Sequence, residues 1–173
     1  GLMATAGAQL QGAGRIFAIE TDPKRQDLAR RYGADVVIDF EDEDPMRVIN
    51  DRTRGVGVDA AIEALGSAET FRQCVEAVKP GGTVSNVGYH GSGDEVPIPR
   101  EEWGVGMAEK DIATALCPGG RLRLRRLMRL LETDRVDPTH LTTHEFDFEH
   151  VDEAFDLMES KEDGVIKPLV RFE

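Results

Sequence analysis

The fold can be predicted from one segment, Arg15-Ile16-Phe17-Ala18-Ile19-Glu20-Thr21-Asp22-Pro23. Its short apolar run is typical of a strand that is buried on both faces of a parallel sheet. Pro23 suits the first turn of a helix, and Gly33 suits the position just after the helix ends. The segment therefore predicts a buried strand that leads, through an acidic turn, into a helix.

Strands and helices continue to alternate up to about residue 116. We predict strands over residues 15–19, 35–39, 58–63, 83–88 and 112–116, and helices over residues 1–10, 23–33, 46–54 and 67–78. Pro80-Gly81-Gly82 is expected to end the last of these helices before the next strand begins. Repeated strand and helix units predict an α/β fold with a doubly wound parallel sheet.

The pattern changes after residue 116. A basic helix, a strand around residues 141–146, a helix at about 150–160 and a last strand over 165–172 form an α+β segment. We therefore predict two units, residues 1–116 and residues 117–173.

The first predicted helix has no strand ahead of it. In a dinucleotide-binding unit a first strand and a glycine-rich turn precede this helix, and neither lies ahead of Gly1. We therefore expect a truncated N-terminus and a sheet whose missing first strand leaves two unpaired edges. Such a chain is expected to be part of a longer protein.

Composition excludes several classes of function. The 173 residues carry 21 Lys and Arg against 33 Asp and Glu, a net charge of −12, which disfavours nucleic acid as a partner. No apolar run approaches the length of a membrane span, and the first residues lack the basic start of a secretory signal, so we expect no membrane partner and a cytoplasmic protein.

The cysteines and histidines give no sign of a metal centre. Cys74 and Cys117 are too few for a disulfide framework or a four-cysteine zinc site, so both are expected to be small buried side chains. His140 and His144 lie in a stretch predicted to be extended, where residues four apart do not converge on one ion. His90 has no evident partner. We therefore predict no metal site within this chain.

Glu20 is the strongest single functional signal. An acid at the carboxyl end of the second strand of a Rossmann sheet can accept the hydroxyl protons of an adenosine ribose, and its charge favours NAD over NADP. The alternative is a carboxylate that merely interacts with the dipole of the helix beginning at Pro23. Arg25, one turn further, is either a second contact to the cofactor or a solvated surface charge.

Residues 78–88 leave a second class of enzyme open. A helix end followed by a core strand also precedes the fifth strand of methyltransferases that bind S-adenosylmethionine, which likewise place a carboxylate on ribose. Those enzymes end their sheet with an antiparallel pair. A parallel strand over residues 112–116 would instead indicate a dehydrogenase.

Several segments together resemble the medium-chain, zinc-dependent alcohol dehydrogenases, above all the tetrameric bacterial type that acts on secondary alcohols. The segments are residues 1–16, 32–35, 57–59, 79–82, 98–107 and 116–121. The resemblance covers essentially the whole chain, and Trp103 to Arg121 is its most specific part. It implies a Rossmann-type cofactor domain up to residue 116, followed by a segment that returns to the catalytic domain.

The resemblance also implies which residues form the sites. The cofactor would be bound by Gly1, Leu2, Glu20, Thr21, Arg25, Ala64, Leu65, Gly66, Val87, Gly88, Tyr89 and Lys167, and the substrate cleft would be edged by Tyr89, Leu116 and Cys117. NADP-using relatives have a small residue at the position of Glu20 and a basic residue after it. Here Thr21 and Asp22 follow, which implies NAD.

The implied reaction is hydride transfer between a (secondary) alcohol and NAD, which interconverts the alcohol and a ketone or aldehyde. The family binds its catalytic zinc through Cys, His and acidic ligands that lie ahead of this chain, so the chain alone is expected to be inactive. A homotetramer is implied, with the loop around Met107 against a neighbouring subunit. The methyltransferase and a non-catalytic nucleotide-binding relative remain as alternatives.

Overall fold

Helices and strands alternate along the chain. The computed structural model describes residues 1–172. The elements are α1 (Leu2–Leu10), β1 (Phe17–Ile19), α2 (Pro23–Arg31), β2 (Val36–Ile38), α3 (Pro45–Thr53), β3 (Val58–Glu63), α4 (Ala68–Ala77), β4 (Val78–Asn86), β5 (Asp111–Thr114), α5 (Arg121–Glu132), β6 (Thr142–Asp147), α6 (Val151–Ser160) and β7 (Lys167–Arg171). Short 3-10 turns cover Gly104–Gly106, Thr139–Leu141 and Phe148–His150.

The strands form three parallel sheets. Strand β1 pairs with β2, the next three strands pair in the order β3-β4-β5, and β6 pairs with β7. This confirms the predicted parallel α/β fold. Within residues 1–172, β1 and β3 each have a strand on one side only. In the Rossmann strand order, the strands that correspond to β1 and β3 are those that flank the first strand of the sheet.

Strand β5 separates the two enzyme classes that the sequence left open. It pairs in parallel with β4, from Thr83 opposite Asp111 to Asn86 opposite Thr114. A methyltransferase sheet would end in an antiparallel pair. The topology therefore favours the dehydrogenase.

Polar caps determine where the helices after the strands begin. The Asp22 carboxylate accepts a hydrogen bond from the backbone N–H of Arg25 at 2.8 Å, and Pro23 fills the first helical position of α2. The Ser67 hydroxyl accepts one from the backbone N–H of Thr70 at 3.1 Å at the start of α4. Such caps satisfy N–H groups that the helix itself cannot pair, so α2 and α4 begin close behind β1 and β3.

Two apolar clusters join the parts of the chain. Ile38, Ile49 and Ala77 are buried together, and Phe17 from β1 and Val58 from β3 pack against them. This cluster joins the sheet of β1 and β2 to the three-stranded sheet.

The C-terminal segment packs on the first helices. Buried Ala6, Leu28 and Tyr32 are covered by Val136, Leu141 and Ile166 from that segment. The division of the chain at residue 116 stays a prediction.

The expected helix break at Pro80-Gly81-Gly82 is wrong in its position. Helix α4 ends at Ala77, and β4 already begins at Val78 and contains all three residues. Val78 pairs with Val58, and the register then shifts before Ala60 pairs with Thr83. Residues 80–82 thus form an irregular stretch within β4, where the register with β3 shifts. Only the cross-strand pairing reveals it.

The expectation that both cysteines are buried is half wrong. Cys74 packs against the buried cluster around Phe71, and burial raises the pKa of its thiol to about 12. Cys117 is exposed, because β5 ends at Thr114 and the chain leaves the sheet before it reaches the cysteine. None of the helices in residues 1–172 combines the length and the apolar character that crossing a lipid bilayer demands.

Candidate functional site

The predicted cofactor residues follow the carboxyl ends of three parallel strands. Glu20 follows β1, residues 64–66 follow β3, and residues 87–89 follow β4. The carboxyl ends of parallel strands are where α/β sheets bind ligands. The first turn of α1 lies beside the β1 region, because Leu2 packs against the buried cluster of Ile16, Ala29 and Ala34.

The Glu20 carboxylate is held in a fixed orientation. Its Oε1 accepts hydrogen bonds from the backbone N–H groups of Thr21 at 3.0 Å and Asp22 at 3.1 Å. Its own carbonyl oxygen accepts from the Gln26 side chain at 2.9 Å. None of the side-chain hydrogen bonds within residues 1–172 ends on Oε2, so that oxygen is free to accept a hydroxyl from a ligand.

The alternative role considered for Glu20, interaction with the N-terminus of α2, belongs to Asp22. Asp22, and not Glu20, caps the N-terminus of α2. Arg25 gives its backbone N–H to that cap, while its guanidinium belongs to no ion pair found in residues 1–172. Glu20 and Arg25 thus remain available to a ligand near the end of β1.

Glu63 joins the two segments on the other side of the site, a role that the sequence analysis missed. Its Oε1 accepts from the backbone N–H groups of Leu65 and Gly66, both at 2.8 Å, and from the Thr70 hydroxyl at 2.7 Å. Its backbone carbonyl oxygen accepts from the N–H groups of Val87 at 2.9 Å and Gly88 at 3.1 Å. One residue at the end of β3 therefore fixes both following segments.

The Glu63 carboxylate is buried and ionised. Only 1% of the residue is exposed, and within the described residues its Oε2 has no hydrogen-bond partner. Burial raises the pKa of Glu63, but the hydrogen bonds from Gly66, Thr70 and Leu65 outweigh it, with a smaller contribution from His90. The net pKa lies below the ordinary value for glutamate.

His90, for which the sequence showed no partner, lies in this cluster. Its Nε2 is 2.9 Å from Asn86 Oδ1 and 3.6 Å from Glu63 Oε2, and its ring stands edge-on to Phe71. The expectation was wrong because the partners come from three separate elements. Only Asn86, four residues away, could have been found from sequence spacing.

Gly66 and Gly88 allow the two segments to pack backbone against backbone. Gly66 has a φ of +96°, and a Cβ there would overlap the main chain of Tyr89. A Cβ on Gly88 would overlap the Glu63 carboxylate and the Gly66 nitrogen. The structure thus brings residues 64–66 and 87–89 together. Their side chains Leu65, Val87 and Tyr89 are exposed and accessible to a ligand.

The other predicted site residues lie elsewhere. Lys167 begins β7 opposite Thr142, and Leu116 and Cys117 are exposed between β5 and α5. No hydrogen bond or ion pair in residues 1–172 links any of them to Glu20 or Glu63.

The residues of this chain do not fit a zinc ion. Within residues 1–172 no three His, Cys, Asp or Glu side chains are grouped so that they could hold a metal. His140 pairs with Asp137 at 3.3 Å, and His144 pairs separately with Asp163 at 3.2 Å. No reaction step can be assigned to a metal held by these residues.

Known proteins resemble this chain along nearly all of its length. An isopropanol dehydrogenase from Thermoanaerobacter brockii, named as NADP-dependent, is 50% identical over 98% of the chain and 49% of its own length. An alcohol dehydrogenase from Cupriavidus necator is 43% identical over 99% of the chain and 46% of its own length. The structure of an alcohol dehydrogenase from Thermus sp. ATN1 superposes with a TM-score of 0.87 at 30% identity, over 99% of this chain and 48% of that one.

The chain spans about half the length of the curated relatives that it matches. Residues 1–133 match the model of a family described as zinc-binding dehydrogenase, and that match covers more than half of the chain. The parallel sheets and the relatives agree with it, and the chain therefore belongs to the zinc-binding dehydrogenase family.

Proposed function

We propose that this chain is the cofactor-binding part of an oxidoreductase that transfers hydride between a secondary alcohol and NAD. The observation that carries the proposal is the Glu20 carboxylate, fixed at the carboxyl end of β1 by two backbone N–H groups. In a sheet of this topology that position faces the adenosine ribose of a bound dinucleotide. The alcohol dehydrogenase names of the relatives support the same reaction.

The choice of NAD departs from the name of the Thermoanaerobacter brockii relative, which is NADP-dependent. It rests on charge. A 2′-phosphate on the ribose would meet the carboxylate of Glu20, with Asp22 close behind it. Repulsion between partly desolvated like charges costs on the order of 1 to 3 kcal/mol, which is enough to decide between the two cofactors.

The chain's own residues would bind and orient the cofactor. When bound, NAD supplies the hydride acceptor. Glu20 would accept ribose hydroxyls, and Arg25 would border the adenosine or a phosphate. Leu65 and Val87 would offer apolar surface to the nicotinamide ring, since both side chains are exposed beside glycine backbone.

Further site roles complete the proposal. Gly1, Leu2 and Lys167 would lie along the pyrophosphate, Thr21 would border the adenosine, and Ala64, Gly66 and Gly88 would complete the nicotinamide side. Tyr89, Leu116 and Cys117 would edge the substrate cleft.

The remaining features belong to the whole protein. Catalytic zinc would be held by residues outside 1–172, as the family description suggests. The enzyme would be a cytoplasmic homotetramer whose substrates are small alcohols and ketones. The present chain would be inactive without the rest of the protein.

The experiment uses the complete protein that contains this chain. Purified protein is analysed for zinc and then assayed with a series of secondary alcohols and either NAD or NADP, following reduced cofactor at 340 nm. We expect alcohol-dependent reduction of NAD, with the higher kcat/KM for NAD. Folded, zinc-loaded protein that binds NAD but reduces neither cofactor would contradict the proposal and favour a non-catalytic relative.

A further inference from the structure

We propose that Glu63 is a positioning residue that sets the spacing of the two segments beside the nicotinamide, residues 64–66 and 87–90, and so orients the ring without touching it. We call these two segments the nicotinamide-side segments. The inference rests on the proposed function, because it assigns to Glu63 an effect on the cofactor that function requires.

The first part of the argument is that both nicotinamide-side segments depend on one residue. The Glu63 side chain accepts two backbone N–H groups of the first segment and the hydroxyl of Thr70 in α4. Its main-chain oxygen accepts the N–H groups of Val87 and Gly88 in the second segment. A shift of Glu63 therefore moves both segments at once.

The second part concerns the oxygen that has no partner. Glu63 Oε2 is fully buried and points to Gly88, where any side chain would overlap it. Beyond Gly88 lies His90, whose Nε2 is 3.6 Å away. A buried carboxylate oxygen of this kind is costly unless a donor or positive charge faces it. At 3.6 Å, His90 Nε2 makes no hydrogen bond to this oxygen, and its contribution is electrostatic.

The orientation of Asn86 determines which atom of His90 carries the hydrogen. Asn86 Nδ2 donates to the carbonyl oxygen of Gly88 at 3.1 Å, so its Oδ1 faces His90. Because Oδ1 can only accept, His90 Nε2 is the donor. The same nitrogen is 3.6 Å from Glu63 Oε2, so His90 links the second segment to β4 by a hydrogen bond and to the carboxylate by an electrostatic contact only.

The third part concerns what the exposed parts of the segments can do. Leu65 and Val87 project to the surface while their backbone N–H groups are held by Glu63. The side chains that would contact the nicotinamide ring are thus attached to backbone that Glu63 holds in place. Glu63 itself is too deeply buried to contact a ligand.

The test compares two ligands that differ at one end. ADP-ribose carries the adenosine, both ribose units and the pyrophosphate of NADH but lacks the nicotinamide. The complete protein is prepared with Glu63→Gln, with His90→Phe, and with Glu69→Gln as a control on the exposed face of α4. Dissociation constants for NADH and ADP-ribose are measured by calorimetry, and kcat is measured at saturating NAD.

We expect Glu63→Gln to weaken NADH binding by about tenfold and to lower kcat, while ADP-ribose binding changes by less than about twofold. The amide keeps an acceptor for Leu65 and Gly66 but turns an N–H₂ group toward the His90 N–H. His90→Phe keeps every hydrogen bond of Glu63 and the ring beside Phe71, so it should fold and show a smaller effect of the same kind. Glu69→Gln should change the dissociation constant of neither ligand.

The outcomes are distinguishable. The positioning role would be overturned if Glu63→Gln and His90→Phe lost equal affinity for NADH and ADP-ribose, or lost affinity for neither. Both results would leave the proposed function intact. If the unmodified protein binds neither ligand, the proposed function fails and the positioning role fails with it. If Glu63→Gln does not fold, the NADH-selective loss must still appear in His90→Phe, and its absence there overturns the inference.

Discussion

The hydroxyl group of Tyr32 donates a hydrogen bond to the carbonyl oxygen of Asp137 at 2.8 Å, across 105 positions of the chain. Tyr32 is buried at the C-terminal end of α2, which it caps, and Val136 packs on the same apolar cluster. This contact anchors the C-terminal segment to the helix that follows β1. The C-terminal segment is therefore held to α2 by a polar contact as well as by the apolar cluster.

Replacing Tyr32 by Phe tests this anchor. The substitution removes the donor and leaves the Asp137 carbonyl unpaired at a half-buried site, so the free energy of unfolding should fall by about 1 kcal/mol. Chemical denaturation of the complete protein measures the change. Tyr89→Phe is the control, because the Tyr89 side chain is exposed, and it should leave stability unaltered. Equal stability of Tyr32→Phe and the unmodified protein would mean that the bond contributes nothing.

Replacing Glu20 by Gly tests the cofactor preference. Loss of the carboxylate removes both the ribose acceptor and the repulsion of a 2′-phosphate, so the ratio of kcat/KM for NAD to that for NADP should fall by roughly tenfold or more. Steady-state assays with both cofactors measure the ratio. Asp27→Asn removes an exposed carboxylate on α2, the helix that follows Glu20, and should leave the ratio as it is. An unchanged ratio in Glu20→Gly would exclude Glu20 from the ribose.

The sequence predicted strand β3 to the residue and most other elements to within about two residues, but it placed the start of β4 at residue 83 and not at Val78. Gly57 and Gly66 bracket an apolar run at 58–63, and Pro23 with Gly33 bracket α2, so local signals were sufficient there. The bulge at residues 80–82 was not predictable because it arises from the pairing of Val78 with Val58.

The sequence predicted the exposed residues of the candidate site but not the buried glutamate that holds them in place. Glu20 stands at a strand end that the sequence marks clearly, and the glycines at 66 and 88 flank the same edge. Glu63 looked like an ordinary strand residue. Its function emerges only when folding brings residues 87–90 against residues 64–66, 22 to 26 positions away, which no local pattern encodes. Exposure of Cys117 likewise follows from where β5 ends.

The lowered pKa of Glu63 makes part of the stability dependent on pH. Burial alone would raise this pKa, and the hydrogen bonds from Gly66, Thr70 and Leu65 lower it below the 4.5 of an unfolded chain. A lowered pKa stabilises the folded state fully above pH 4.5, and this contribution is lost as the pH falls through the folded value.

The measurement is the free energy of unfolding against pH for the unmodified protein and Glu63→Gln. The difference between the two should be constant above pH 4.5 and should shrink at more acidic pH. Glu159→Gln provides the control, because Glu159 is exposed on α6 and takes part in no ion pair or side-chain hydrogen bond within residues 1–172. A difference for Glu63→Gln that does not change across the acidic range would show that the charge of Glu63 adds nothing to stability.

Gly66→Ala tests the close approach of the two nicotinamide-side segments. Alanine is strained at a φ of +96°, and its Cβ would overlap the Tyr89 main chain, so stability should fall by about 1 to 3 kcal/mol. Thermal unfolding of the complete protein checks the value. Gly14→Ala, at a site with open space and no positive φ, should change stability by less than about 0.5 kcal/mol. Similar stability of the two variants would contradict the tight packing.

The one-sided pairing of β1 and β3 bears on how this segment behaves when it is produced without adjoining sequence. Within residues 1–172, the outer backbone N–H and C=O groups of these two strands find no neighbouring strand. Extended stretches from other molecules can hydrogen-bond to such groups, and the products are intermolecular β-structure and precipitate. A synthetic peptide able to add one parallel strand should keep the isolated segment dispersed, whereas dilution alone would only slow its loss from solution.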